Sequence, residues 1–279
     1  MQTRIRHRGI ETSRAAGYPR VPLLPTPLTR VVASAEIFKS TNPQAVAVLP
    51  NQLESVTFAS RQTVFAEGDS GDRLYVIASG MVKMCCLTSE GRDHLLAVLG
   101  PSDMFGELSV FDPGPRMSTA TALTAVTAVA LDRAAFRGWM AERPEVAERL
   151  LQALARRARR GDDELADLAL PDAAGRVARQ LLEMAHRFGV RDGETIHVTH
   201  HLTQEEIAQL VGSTRETVNK ILVDFSRRRW IRADRKSVII IDGPRLARRA
   251  GLRTDQHAGT ATASNRAWWS HDAFIAVRQ

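Results

Sequence analysis

The sequence predicts an α+β chain in three parts: a jelly-roll-type β-roll, then a long helix, then a winged helix-turn-helix. Three observations predict it. Between Ala35 and Leu131 short apolar runs alternate with glycine turns at roughly 8–12-residue spacing, the mark of a sandwich or roll. From Pro144 the apolar period changes from two to three and a half. From Thr203 two short amphipathic segments meet at a glycine and are followed by a small hairpin pattern.

The elements follow in chain order. Residues 1–34 carry six arginines against one acidic residue, with prolines at 19, 22, 25 and 27. They show no helical or strand period and are expected to be a disordered basic extension. Translation from a non-ATG codon near Leu28 or Val31 would leave the rest of the chain intact. Asn42–Leu53 reads as a short leading helix. The β-roll is assigned to 35–143, its strands including those in Leu74–Leu87, His94–Leu99 and Thr121–Leu131. Residues 144–170 form the long helix. Ala147, Leu151, Leu154, Ala158, Gly161, Leu165 and Leu168 are spaced alternately four and three apart. That 3.5-residue repeat favours pairing with a second copy of the chain. Pro171 breaks the helix and makes a hinge.

Residues 171–251 form the last domain. An amphipathic helix runs over 173–190 and is ended by Gly189, and Thr195–Thr199 is a strand. Thr203, with Glu206 three residues on, is a capping box. Ile207, Leu210 and Val211 face inward, Gly212 makes the turn, and Ser213 or Thr214 caps the next helix. Val218, Ile221, Leu222 and Phe225 face inward on that helix, leaving Arg215, Glu216, Thr217, Asn219 and Lys220 outside. These side chains suit a major-groove reader: arginine forks onto guanine and glutamate accepts from cytosine. Trp230–Ile241 reads as a β-hairpin wing whose Arg235 and Lys236 meet phosphates. Residues 252–279 are expected to be a disordered tail.

Composition excludes several alternatives. The 279 residues carry a net charge of +7, distributed as an acidic middle and a basic end. Residues 35–171 hold 14 basic and 18 acidic residues, whereas 172–251 hold 15 basic and 10 acidic. A basic C-terminal domain suits a polyanion. No apolar run reaches the ~18 residues of a membrane span, and the start lacks a secretory apolar region. A cytoplasmic location is expected. Cys85 and Cys86 are the only cysteines, too few for a disulfide framework or a four-cysteine cluster. One histidine, His94, in the β region argues against a metal-dependent enzyme on the roll. His197, His200 and His201 read as a strand end and loop, with no metal.

Pro101–Leu123 is the other informative stretch. Gly106-Glu107 opens a turn, and Arg116 follows nine residues later. A backbone turn with an arginine suits an anionic phosphate, and a carboxylate suits a sugar hydroxyl.

Phe65–Lys83, Gly100–Arg116 and Leu202–Leu222, in that order, resemble the bacterial cyclic-AMP receptor protein and fumarate-nitrate reductase regulator family, most of all its actinobacterial members. The resemblance covers about residues 36–250. It implies a non-enzymatic, homodimeric transcription regulator that binds double-stranded DNA, responds to cyclic AMP and meets RNA polymerase. Gly106, Glu107, Leu108 and Ser109 would form the phosphate–ribose cassette, with Glu107 on the ribose and Arg116 on the cyclic phosphate. Arg157 would brace the site. Arg215, Glu216 and Lys220 would read a TGTGA-like half-site, while Thr203, Gln204 and Thr214 hold phosphates. The sequence departs from the family at three places. Met117 stands where the family has Ser or Thr, and Ser118 follows one residue on. Gly161-Asp162 replaces the hydroxyl residue and following Ser or Asn that meet adenine, and Lys220 replaces a frequent arginine. These departures keep open a regulator of the same fold that acts without ligand or with another one.

Overall fold

The computed structural model describes residues 27–35, 53–142 and 172–252, together with eight positions between Pro144 and Ala158. The expected helix over Asn42–Leu53 lies outside them, except that Leu53 begins a strand.

The first domain has helices α1 (Pro27–Ser34), α2 (Leu108–Phe111) and α3 (Arg133–Glu142). Its strands are β1 (Leu53–Phe58), β2 (Thr63–Phe65), β3 (Arg73–Ser79), β4 (Val82–Leu87), β5 (Asp93–Leu99), β6 (Met104–Phe105), β7 (Thr119–Ala122) and β8 (Val126–Asp132). They form two antiparallel sheets in the orders β1-β8-β3-β6 and β2-β7-β4-β5. Phe65, Ile77, Val82, Phe105, Ala120, Ala122, Val126 and Ala128 come from both sheets and share one buried cluster, so the sheets face each other. The nearly unbroken apolar run of β8 has a direct cause. Val126 and Ala128 point into the roll, while Val129 and Leu131 pack against α3 on the other face.

The N-terminal expectation needs correcting over 27–34, while residues 1–26 lie outside the described residues. Pro27–Ser34 is a helix, with Thr29 and Val32 buried. Val32 and Ala35 join Leu53, Leu74, Val129, Phe136 and Trp139 in the cluster outside the first sheet. Pro27 opens the helix, where its missing N–H costs nothing. The proline content obscured the apolar positions 28, 31, 32 and 35, which have helical spacing. The ordered domain therefore starts before residue 35.

Between Pro144 and Ala158 every described residue is helical, including seam positions Ala147, Leu151, Leu154 and Ala158. Leu154 packs on the α1/α3 cluster, whereas Leu151 is 66% exposed in the single chain. Gly161, Leu165, Leu168 and Pro171 lie outside the described residues.

The last domain contains α4 (Ala173–Phe188), β9 (Gly189–Asp192), β10 (Thr195–Thr199), α5 (Gln204–Leu210), α6 (Arg215–Arg227), β11 (Ile231–Ala233), β12 (Ser237–Ile240) and α7 (Gly243–Arg249). Its sheet runs β11-β12-β10-β9. Asp172 caps α4 by accepting from Gly175 N–H. Gly189 caps the end of that helix in an extended conformation, its N–H on the Ala185 carbonyl, where a Cβ would lie 2.2 Å from that oxygen. Two elements were missed from the sequence: β9, which pairs with β10, and α7, capped by Asp242 with a proline in its first turn. Among the described residues no helix is long and apolar enough to cross a membrane.

Candidate functional site

The loop after β6 carries the first site. Gly106 has φ +77°, a left-handed conformation that a side chain would strain. The chain then enters α2, which buries Ser109 and leaves Leu108 half exposed. Glu107 is 1% and Arg116 5% exposed. Burying a carboxylate and a guanidinium is costly unless each meets a partner.

The partners of Arg116 define the site. Its Nη1 donates to the Gly106 carbonyl at 2.7 Å and its Nη2 to the Arg73 carbonyl at 2.8 Å. The guanidinium lies 4.1 Å from the centre of the Phe65 ring. Phe65 stacks in turn on Tyr75, and Tyr75 on Phe105. The Arg116 main chain bonds to Gly68 and Asp69 in the loop between β2 and β3. Burial pushes the Arg116 pKa below its ordinary value, opposed by Tyr75 and the carboxylates of Asp72, Glu107 and Asp69. Arginine remains a cation at neutral pH regardless. Its Nε is buried with no hydrogen-bond partner. A buried cation held on neutral carbonyls, with its Nε–H unused, fits an incoming anion such as a cyclic phosphate.

The structure brings Gly106, Glu107, Ser109 and Arg116 together as expected. Met117 is 75% exposed and offers no donor to this cleft. Ser118 is half-buried. Arg157, Gly161 and Asp162 lie outside the described residues. Neither Gly71 nor Arg133 was assigned to the site from the sequence. A Cβ on Gly71 would fall 2.3 Å from Ser109 Cβ and 3.0 Å from Arg116 Nε. Arg133 Nη2 donates to the carbonyls of Gly71 and Ser109, tying the loop to α2. The only sequence signal was the pair of turn glycines, 68 and 71.

The second site is the helix-turn-helix. Thr203 accepts from Glu206 N–H, and the Glu206 carboxylate accepts from Thr203 N–H at 2.8 Å, completing the capping box. Gly212 takes φ +56°. Arg176 of α4, unnoticed in the sequence, clasps the turn through the Val211 and Gly212 carbonyls. Thr214, rather than Ser213, caps α6 by accepting from Thr217 N–H. Val218, Leu222 and Phe225 are buried, so the opposite face is free. Arg215, Glu216, Asn219 and Lys220 are exposed there, and Thr217 is half-buried. Gln204 Nε2 donates to Asn219 Oδ1 at 3.2 Å, joining the two helices on that side. Strands β11 and β12 pair as the wing, with Arg235 and Lys236 exposed at its tip. Such a surface can lay a helix in a major groove and set cations on the flanking phosphates.

Near this site His200 is buried, and its Nδ1 accepts from Leu202 N–H at 3.0 Å. Burial, then the His201 charge, lowers its pKa to about 4. Among the described residues no group of His, Cys, Asp and Glu is placed to hold a metal.

Comparison with known proteins identifies both domains. Residues 55–143 match the cyclic nucleotide-binding domain and residues 175–249 the Crp-like helix-turn-helix domain. The chain is 57% identical over 223 residues to the CRP-like cAMP-activated global transcriptional regulator of Mycobacterium tuberculosis, covering 80% of this chain and all of that one. It is 34% identical over 186 residues to the cyclic AMP receptor protein of Thermus thermophilus, covering 67% of this chain and 83% of that one. A solved CRP-family regulator from Thermus thermophilus superposes with a TM-score of 0.60 at 30% identity, covering 72% of this chain and all of that one. The cyclic nucleotide-binding roll joined to a Crp-like reading head places this chain in the cyclic-AMP receptor protein family of DNA-binding transcription regulators, which are not enzymes.

Proposed function

We propose that the protein is a homodimeric, sequence-specific regulator controlled by cyclic AMP in the β-roll. The buried, carbonyl-held Arg116 with its unused Nε carries this reading. Arg116 would hold the cyclic phosphate, and Glu107 the ribose hydroxyl. The exposed Leu151 on a 3.5-residue seam supports pairing of two copies. Two copies related by a two-fold axis require a palindrome, here with TGTGA-like half-sites read by Arg215, Glu216 and Lys220. Ligand shifts the balance between orientations of the two reading heads. RNA polymerase as partner and a cytoplasmic location go with this reading. A second reading, regulation without ligand or by another one, is favoured by Met117, which supplies no hydroxyl beside Arg116.

Calorimetric titration with cyclic AMP, with cyclic GMP as control, separates the two. A micromolar or tighter dissociation constant that is lost in Arg116→Ala supports cyclic-AMP control. The absence of binding up to millimolar ligand supports the second reading.

A further inference from the structure

The winged domain is seated on the roll by its own set of contacts. Strand β5 is the outer strand of its sheet, so one line of its main-chain groups lacks a strand partner. Gln209 of α5 covers that edge. Its Oε1 accepts from Leu95 N–H at 3.0 Å, and its Nε2 donates to the Asp93 carbonyl at 3.2 Å. One amide side chain thus stands in for a neighbouring strand. Beside it, Lys83 Nζ of β4 meets Glu206 Oε1 at 2.8 Å, with side chains 26% and 17% exposed. Burial opposes the charge on both. The hydrogen bond and charge of Glu206 outweigh it at Lys83, and Lys83 with Thr203 does the same at Glu206.

Apolar packing continues the contact. Met81, Cys85, Leu95 and Val98 of the roll belong to one buried cluster with Ile207 and Ala208 of α5. At the end of α4, Arg187 pairs with Asp103 at 2.6 Å, and the Phe188 ring fills the space a Cβ on Gly100 would need. Arg215, Glu216, Asn219 and Lys220 stay exposed. The contact therefore does not mask the reading face; it fixes how that face is aimed. Glu206 also serves twice, as the cap of α5 and as the partner of Lys83.

We propose that the β5 edge with Lys83 is the coupling surface on which α5 docks through Glu206 and Gln209, and that the ligand response of DNA binding passes through it. Any rotation of the winged domain against the roll must break this ion pair, the two amide bonds and the apolar seam together. Such a contact is made or broken as a unit and gives two discrete orientations. A contact present in only one of them enters the coupling between the two sites. The ligand half of this proposal rests on the cyclic-AMP reading; the docking half does not.

The test uses the full chain and four variants: Gln209→Ala, Lys83→Met, Glu206→Gln, which keeps a carbonyl for the helix cap, and Glu90→Gln at the exposed β4–β5 turn as control. Thermal melts establish that each folds. Amide exchange at Leu95 reads docking directly. It should be slow in the parent and at least about tenfold faster in Gln209→Ala. Affinity for a duplex with TGTGA half-sites, with and without cyclic AMP, reads the coupling. The ratio of the two should change about fivefold or more in Lys83→Met and Glu206→Gln, the lower bound of an ordinary coupling factor, and should hold in Glu90→Gln. Leu95 exchanging at free-loop rates, or equally fast in the parent and Gln209→Ala, overturns the docking. An unchanged ratio in both charge variants overturns the coupling. A parent protein whose DNA binding ignores cyclic AMP refutes the cyclic-AMP reading and the coupling with it, while Leu95 still decides the docking.

Discussion

Gly71→Ala tests whether the ligand cassette is braced by the loop between β2 and β3, a residue far from the cassette in sequence. The added Cβ would sit 2.3 Å from Ser109 Cβ and 2.5 Å from Ser109 Oγ, with Arg116 Nε at 3.0 Å. Carbon atoms rest at about 3.5–4.0 Å, so α2 or the loop must move by more than ~1 Å. The two are held together, since Arg133 ties the Gly71 and Ser109 carbonyls. Over-packing of this kind costs about 1–3 kcal/mol. Charged to the binding geometry, that is about 5–150-fold weaker cyclic-AMP binding. The assay is calorimetric titration beside a thermal melt. Gly114→Ala is the control, because its nearest neighbour, the Asp112 carbonyl oxygen, is 4.0 Å away. Binding by Gly71→Ala within twofold of the parent would refute the bracing argument.

Other outcomes follow from the same geometry. Met117→Thr adds a hydroxyl beside Arg116 at a solvent-facing position. It should tighten cyclic-AMP binding about fivefold, the worth of one hydrogen bond near 1 kcal/mol; unchanged affinity in the same titration would show that the position does not reach the ligand. Arg215→Ala should cost about 1–3 kcal/mol on a TGTGA palindrome and relax its base preference, whereas Arg235→Ala should weaken all duplexes alike and lower the salt slope by about one. Gel-shift series in rising salt distinguish the two. Leu151→Glu should convert the proposed dimer to monomer in analytical ultracentrifugation, because it puts a charge on the seam. His200 is neutral in the fold, with a pKa of about 4 against 6.5 for an unperturbed histidine. The unfolded chain therefore takes the proton first. The stabilisation is full above about pH 6.5 and is lost as pH falls toward 4, about 2–3 kcal/mol in all. Denaturation of the parent and His200→Asn at pH 7.5 and 4.5 should show that difference; parallel curves would contradict it.

Features that depend only on neighbours along the chain were legible from residue order. The Thr203–Glu206 box, the Gly212 turn and the Thr214 cap are satisfied within a few residues, so spacing alone revealed them. Likewise the turn glycines and two-residue period of the roll marked its strands, and Gly106-Glu107 with Arg116 marked the turn and the buried arginine that meet there. Helix α1 escaped because Pro27 and the prolines before it are a local signal of disorder, while its stability comes from burying Val32 against strands distant in sequence. Gly71 and Arg133 were invisible for the same reason: they touch Ser109 and Arg116 only after the strands close. The seat of α5 on β5 was also beyond reach. Lys83 and Glu206 are 123 residues apart, and nothing in either segment marks the other as its partner. Local hydrogen-bond geometry is written in residue spacing. Which buried charges, glycines and strand edges meet across the fold is decided by tertiary packing, since only packing excludes the water that would otherwise satisfy each of them separately.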